Sequence, residues 1–230
     1  MKTLAIIPAR GGSKRVPRKN VIDFFGNPLI DYTIRAAIES KKLDDIVVSS
    51  EDEEVIAVSS RYKEIEIIRR PDHLSTDHAS VMDVANHVLG IKNINNQYDY
   101  IFIMLASTPL RSSDDVINIY NILEEKRPNG VVSVTEFPFP VIYALNLDDN
   151  GSLKRSFPEM ADRKTQFSPK YYVDNGGIYA LKPEFIYKKN YFPPDTHPYI
   201  MPFWASIDVD TPEDLNTAKA MYSYYFKKNA

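Results

Sequence analysis

The chain of 230 residues contains no cysteine. That excludes disulfides, thiolate zinc sites and cysteine nucleophiles together. A basic excess is also missing: 28 Lys and Arg against 31 Asp and Glu leave a net charge of −3. Nothing therefore drives general affinity for nucleic acid. No apolar run approaches the length of a membrane span. Only about five apolar residues precede Pro8 and Arg10, too few for a signal peptide, and a cytoplasmic protein is expected. There is neither an internal repeat nor a low-complexity segment. The remaining composition, 43% hydrophobic and 26% charged, is ordinary for a globular protein. Its length suits one sizeable α/β domain, with or without an insertion.

The first half alternates apolar runs with amphipathic stretches. Residues 4–7, 46–48, 65–68, 100–105 and 131–134 read as strands, and residues 31–40, 53–61, 80–89 and 116–123 as helices. Such alternation implies parallel pairing through right-handed crossovers and an open, doubly wound, mostly parallel sheet. Ligands of such sheets bind outside the carboxyl ends of the strands. At Glu136 the pattern breaks. From about residue 136 to 202 the chain is rich in proline and aromatics, with a strand expected at 177–181. This insertion suits a lid over a substrate or an arm against a partner subunit. A strand is expected again at 204–209. A last helix then begins with Thr211 as N-cap and Pro212 in its first turn.

Residues 6–20 read Ile-Ile-Pro-Ala-Arg-Gly-Gly-Ser-Lys-Arg-Val-Pro-Arg-Lys-Asn. A strand running into a Gly11-Gly12 turn exposes backbone N–H groups beside Arg10, Lys14, Arg15, Arg18 and Lys19. Together these suit a polyphosphate. Neither Gly-x-x-x-x-Gly-Lys-Ser/Thr nor Gly-x-Gly-x-x-Gly is present, so the loop is not a P-loop or a dinucleotide fingerprint. Asp208 and Asp210 are expected on one face of a strand end, where two carboxylates need a cation between them. Oxygen ligands without His or Cys suit Mg²⁺; capping of the last helix is the plainer alternative. Glu51-Asp52-Glu53-Glu54 reads as a solvated helix start. The four histidines show no metal-ligand spacing. The 107–111 loop serves equally as a crevice lining or as the approach to a cap at Ser112 or Ser113. Asn175-Gly176 reads first as a turn.

The loop string closely resembles the signature of the CMP-sialic acid synthetases, the acylneuraminate cytidylyltransferases. Arg70-Pro71, the run from His78 to Val84, Ser107 to Arg111, Asn175-Gly176 and the run from Ile207 to Thr211 match in order, covering nearly the whole chain. The resemblance implies one Rossmann-like nucleotidyltransferase domain over residues 1–230. It implies transfer of CMP from CTP to a nine-carbon 2-keto sugar acid, with Mg²⁺ and release of pyrophosphate. It also implies a homodimer built on the insertion. Carried onto matching positions, Arg10, Gly11, Gly12, Ser13, Lys14, Arg15, Lys19 and Asn20 would hold the triphosphate. Arg70, Ala79 and Ser80 would contact cytidine, and Asp208 and Asp210 would bind Mg²⁺. Ser107, Gln166, Asn175 and Tyr179 would face the sugar. Arg10, Lys19 and Asp210 would carry catalysis, with no protein nucleophile and no visible general base.

Two departures fall on the sugar side. Sialate-type members carry Gln-Pro where this chain has Leu105-Ala106, and Arg-Pro where it has Val173-Asp174. The 137–140 and 163–166 stretches look more like pseudaminic acid cytidylyltransferases; a legionaminic acid enzyme also fits. A 3-deoxy-manno-octulosonate cytidylyltransferase, a glycosyltransferase and a non-catalytic nucleotide sensor are the rival readings.

Overall fold

The computed structural model describes residues 1–92, 97–160 and 169–227. Strand β1 (Thr3–Pro8) leads through the basic loop and a small ribbon, β2 (Asp23–Phe24) and β3 (Asn27–Pro28), to α1 (Leu29–Glu39). There follow β4 (Asp45–Ser50), α2 (Glu53–Ser59), β5 (Ile65–Arg69), α3 (Val81–Ile91), β6 (Tyr100–Met104), α4 (Ser113–Lys126) and β7 (Gly130–Glu136). A hairpin of β8 (Leu145–Leu147) and β9 (Leu153–Arg155) comes next, then β10 (Tyr172–Leu181), α5 (Pro183–Tyr187), β11 (Thr196–Ile200) and α6 (Pro212–Tyr222). The main sheet has seven strands in the order β11-β7-β10-β6-β1-β4-β5. Pairing is parallel except at β10, which runs antiparallel to both β6 and β7. The doubly wound, mostly parallel sheet is as expected.

Strand alternation splits the core into two layers. Ala5, Ile7, Val48, Phe102 and Met104 belong to the cluster that contains Ile34 of α1, Val55 of α2 and Ile119 of α4. Leu4, Ile6, Val47, Ile101 and Ile103 belong to the cluster with Met82, Ala85 and Val88 of α3. Each large side chain buried this way contributes about 1.5–3 kcal/mol. A third cluster, with Phe24, Met201, Val209 and Leu215, seats α6. Helices α3, α4 and α6 start on capping boxes: Ser80 with Asp83, Ser112 with Asp115, and Thr211 with Asp214.

Two expectations are corrected. Residues 204–209 are not a strand. Phe203–Ala205 is one short helical turn, and residues 206–210 run on without a sheet partner. Instead, Thr196–Ile200 lies parallel to β7 and occupies the sheet edge. The 206–210 run is tied to the Ser107 loop by Val209 N–H, which donates to Ser107 O at 2.9 Å. Asn175-Gly176 is not a hairpin turn either. It is a bulge inside β10, where the register shifts between Asp174 and Tyr179. Gly176 takes φ +64° there, the left-handed region that glycine enters without penalty. Ser133 closes the bulge: its hydroxyl donates to Asn175 Oδ1 at 2.7 Å and accepts from Ile178 N–H at 2.7 Å.

Candidate active site

β1 is flanked by β4 and β6. The chain winds outward from β1 to β5, then crosses back to β6, which makes the end of β1 the switch point where such sheets bind ligands. A cavity of about 260 Å³ opens there, lined by Arg10, Lys19, Asn20, Arg70, Ala79, Ser80, Ser107, Asp208 and Asp210, among others. A neighbouring lobe of about 390 Å³ shares Arg10, Lys19, Asn20 and Asp210 with it and adds Ser13, Lys14 and Arg15. The fold thus gathers the basic loop, the Arg70 turn, the start of α3, the Ser107 loop and the two aspartates into one crevice.

Local contacts explain the loop's shape. A Cβ on Gly11 would lie 2.2 Å from Asp52 Oδ2, so a side chain there would displace the carboxylate that caps α2. Gly11 N–H donates to Glu51 Oε1 at 2.8 Å. Buried Asn20 donates its amide to Arg10 O at 2.8 Å, pinning the return of the loop to its start. Arg18, at φ 56°, turns outward to Glu54. The other four cations are held in pairs: Arg10 and Lys14 on Asp77, Arg15 and Lys19 on Asp210. Gly12 adds no close contact and lines neither lobe.

The two aspartates are unlike. Burial pushes the Asp208 carboxyl above its usual value, against the Ser107 hydroxyl and Lys19, which draw it down. Its Oδ1 is buried with no hydrogen-bond partner. Burial would raise Asp210 too, but Lys19 and Arg15 outweigh that and hold it below the usual value. Thr211, not Asp210, caps α6. No cluster of three or more His, Asp or Glu among the described residues could hold a metal by itself. Two carboxylates, one with an orphaned buried oxygen, fit a Mg²⁺ whose remaining ligands are waters and phosphates.

Arg70 is buried, and its guanidinium donates to Ser49 O and lies 3.5 Å from Glu51 Oε2. Burial lowers its pKa, with Glu51 opposing. Ser80 lines the cavity at the start of α3, where its hydroxyl donates to Asp83 at 2.6 Å. On the sugar side, Ser107 lines the cavity, while Asn175 and Tyr179 do not. The Asn175 amide is spent on Ser133, Gly177 N–H and Ser206. The Tyr179 hydroxyl donates to Asp174 Oδ2 at 2.6 Å. Gln166 lies outside the described residues.

Three residues at this site escaped the sequence reading. Asp77 lines both lobes. Glu51 couples Gly11 to Arg70, so the acidic run is not merely a solvated helix start. Arg111 is 3% exposed and donates to Thr108 Oγ1, Gly177 O, Thr33 Oγ1 and Leu105 O. Burial pushes its guanidinium down to about 10. An acid directly after β4, at the crevice end of a strand, was the available signal for Glu51.

A cation loop and a carboxylate pair at the switch point of a doubly wound sheet define an α/β protein that handles phosphorylated nucleotides. Comparison with known proteins narrows that class. The Cytidylyltransferase family profile matches residues 4–137. Pseudaminic acid cytidylyltransferase of Campylobacter jejuni subsp. jejuni serotype O:2 is 36% identical over 96% of this chain and 97% of its own length. N-acylneuraminate cytidylyltransferase of Escherichia coli O18:K1:H7 is 32% identical over 94% of this chain, which spans 51% of that larger protein. The structure of CMP:2-keto-3-deoxy-manno-octonic acid synthetase complexed with CTP shares the fold, with a TM-score of 0.72, 17% identity, and 97% of this chain and 99% of that one covered. The chain belongs to the cytidylyltransferase family and is a nucleotidyltransferase.

Proposed function

We propose that this enzyme transfers CMP from CTP to a nine-carbon 2-keto sugar acid and releases pyrophosphate. The observation that carries the reading is the gathering of Arg10, Lys14, Arg15 and Lys19 opposite Asp208 and Asp210 in one crevice. Four cations match a triphosphate better than the diphosphate of a sugar donor, which disfavours a glycosyltransferase. Among sugar acids, pseudaminic acid is favoured: the Campylobacter relative of that name is the more similar of the two and matches end to end. The octulosonate alternative rests on shared fold alone.

The sugar's anomeric hydroxyl oxygen attacks the α-phosphorus of CTP, the bond from that phosphorus to the bridging α,β-oxygen breaks, pyrophosphate leaves and the hydroxyl proton passes to solvent. Arg10 and Lys19 would meet the charge that builds on the phosphoryl and leaving oxygens, and Lys14 and Arg15 would take the outer phosphates. Asp208 and Asp210 would hold Mg²⁺, which when bound neutralises phosphate charge. Arg70 and the start of α3 bound the end of the cavity that would take cytidine. Ser107 and Asp208 also line it, with the β10 bulge packed behind Leu105 and Asp208. The reading includes a homodimer, supported by the exposed Leu145, Leu147 and Leu153 of the hairpin and by Phe139 beside it. No described helix is long and apolar enough to cross a membrane; the reading assigns the enzyme to the cytoplasm, where CTP is made.

Pyrophosphate release from each of the four common NTPs, against sialic, pseudaminic, legionaminic and octulosonic acids, tests it. Release is expected with CTP and a nonulosonic acid. Folded protein that is silent in every CTP well would overturn the enzyme reading and leave a nucleotide sensor.

A further inference from the structure

Two carboxylates neutralise the four crevice cations in pairs, and they are not equivalent. Asp210 stands next to Asp208 and, on the reading above, gains a metal ion when its cations turn to phosphate. Asp77 has no such exchange. Its Oδ1 accepts from Arg10 Nη1 at 2.7 Å and its Oδ2 lies 2.7 Å from Lys14 Nζ. It sits on the segment between the Asp72–Leu74 turn and α3, the same segment that brings Ala79 and Ser80 to the cavity. The carboxylate therefore occupies the place of a phosphate: one anion, two oxygens, each on a different cation of the loop. Lys14 first, then Arg10, hold its carboxyl down to about 2, so it stays charged at any working pH.

We propose that Asp77 is a resident counter-anion in the triphosphate site. It positions Arg10 and Lys14 in the empty crevice, yields them to the incoming triphosphate, and takes them back as pyrophosphate leaves. This rests on the cytidylyl-transfer reading. It goes beyond that reading in assigning a positioning residue that weakens substrate and product binding alike. Once the cations turn to phosphate, Asp77 is an unpaired negative charge beside a polyanion, which costs binding.

Inorganic pyrophosphate binding to the nucleotide-free enzyme, by calorimetry, reads this without turnover. Two exposed ion pairs are lost to the competitor in Asp77→Asn, so pyrophosphate and CTP should each bind about three- to tenfold tighter. Product inhibition by pyrophosphate should strengthen by the same factor. Asp77→Glu should remain near wild type. Glu184→Gln, at the opposite end of β6, makes the same change of net charge and should leave the affinity unchanged. An unchanged or weaker pyrophosphate affinity in a folded Asp77→Asn variant, beside an active wild type, overturns the role of Asp77 alone. Wild-type protein that binds neither CTP nor pyrophosphate overturns the transfer reading and this one with it.

Discussion

At the scale of single residues, the crevice is organised by side chains whose partners lie far away in sequence. Asp208 has an orphaned, buried oxygen, and Asp210 bridges two cations. If they hold the metal, Asp210→Asn should lose several kcal/mol of transition-state stabilisation, read as a fall in kcat/KM at saturating Mg²⁺. Near-normal turnover would remove Asp210 from the metal site. Arg111 supports the crevice from behind. Its four acceptors are two backbone carbonyls and two hydroxyls, and no carboxylate lies within salt-bridge reach among the described residues. Arg111→Met takes the side-chain donor from Gly177 O, while Leu105 O keeps the Thr33 and Thr108 hydroxyls, and should cost about 1–3 kcal/mol in urea unfolding. Arg111→Lys keeps the charge but not the fork and should still be measurably destabilised.

Among elements, the β10 bulge and the start of α3 matter most. At Gly176 an added Cβ would sit 3.1 Å from Leu105 Cδ1 and 3.3 Å from Asp208 Oδ2, at φ +64°. Gly176→Ala should therefore cost about 1–2 kcal/mol in backbone strain. It should lower kcat by more than that stability loss explains, because the methyl presses on Asp208. Kinetics and melting of the same preparation separate the two effects. At α3, Asp83 closes the capping box and meets Lys189, and its carboxyl is lowered to about 2, chiefly by Lys189 and then by Ser80. A depressed carboxylate adds stability above its ordinary value of 3.8 and loses it as pH falls toward 2. The melting-temperature gap between wild type and Asp83→Asn should thus be widest above pH ~4 and narrow below it. A gap that widens with acid would contradict the assignment.

For the whole molecule, the hairpin of β8 and β9 is the element without a core of its own. All six of its residues are exposed, three of them leucines. Clustered exposed apolar residues of that kind mark interaction surfaces. Leu147→Asp with Leu153→Asp should convert the proposed dimer to monomers in light scattering, with little change in the unfolding of the central sheet. A monomeric wild type would remove the dimer from the reading.

How far the chain could be read without its fold follows from how local each feature is. The strand–loop–cation string from Ile6 to Asn20 and the Asp208/Asp210 pair are contiguous, so spacing alone exposed them. The strand at 4–7 was legible as an apolar run, and the alternation of its residues between two layers followed from the fold. Asp77 was not legible, and Glu51 and Arg111 stood in stretches whose roles were not, because partners such as Arg10, Gly11 and Gly177 lie far away in sequence. The run at 204–209 was misread for the same reason: its apolar pattern suits a strand, but Thr196–Ile200 already holds the edge of β7. Asn175-Gly176 carries a hairpin signal, yet Ser133 on the next strand turns it into a bulge. Sequence by itself determined the alternation of strands and helices, the doubly wound class and the place of the cation loop, since periodicity and contiguous charge are local properties. Only tertiary structure decided which carboxylate faces which cation and which polar groups reach the cavity, since those depend on what the crossover from β5 to β6 brings across the crevice.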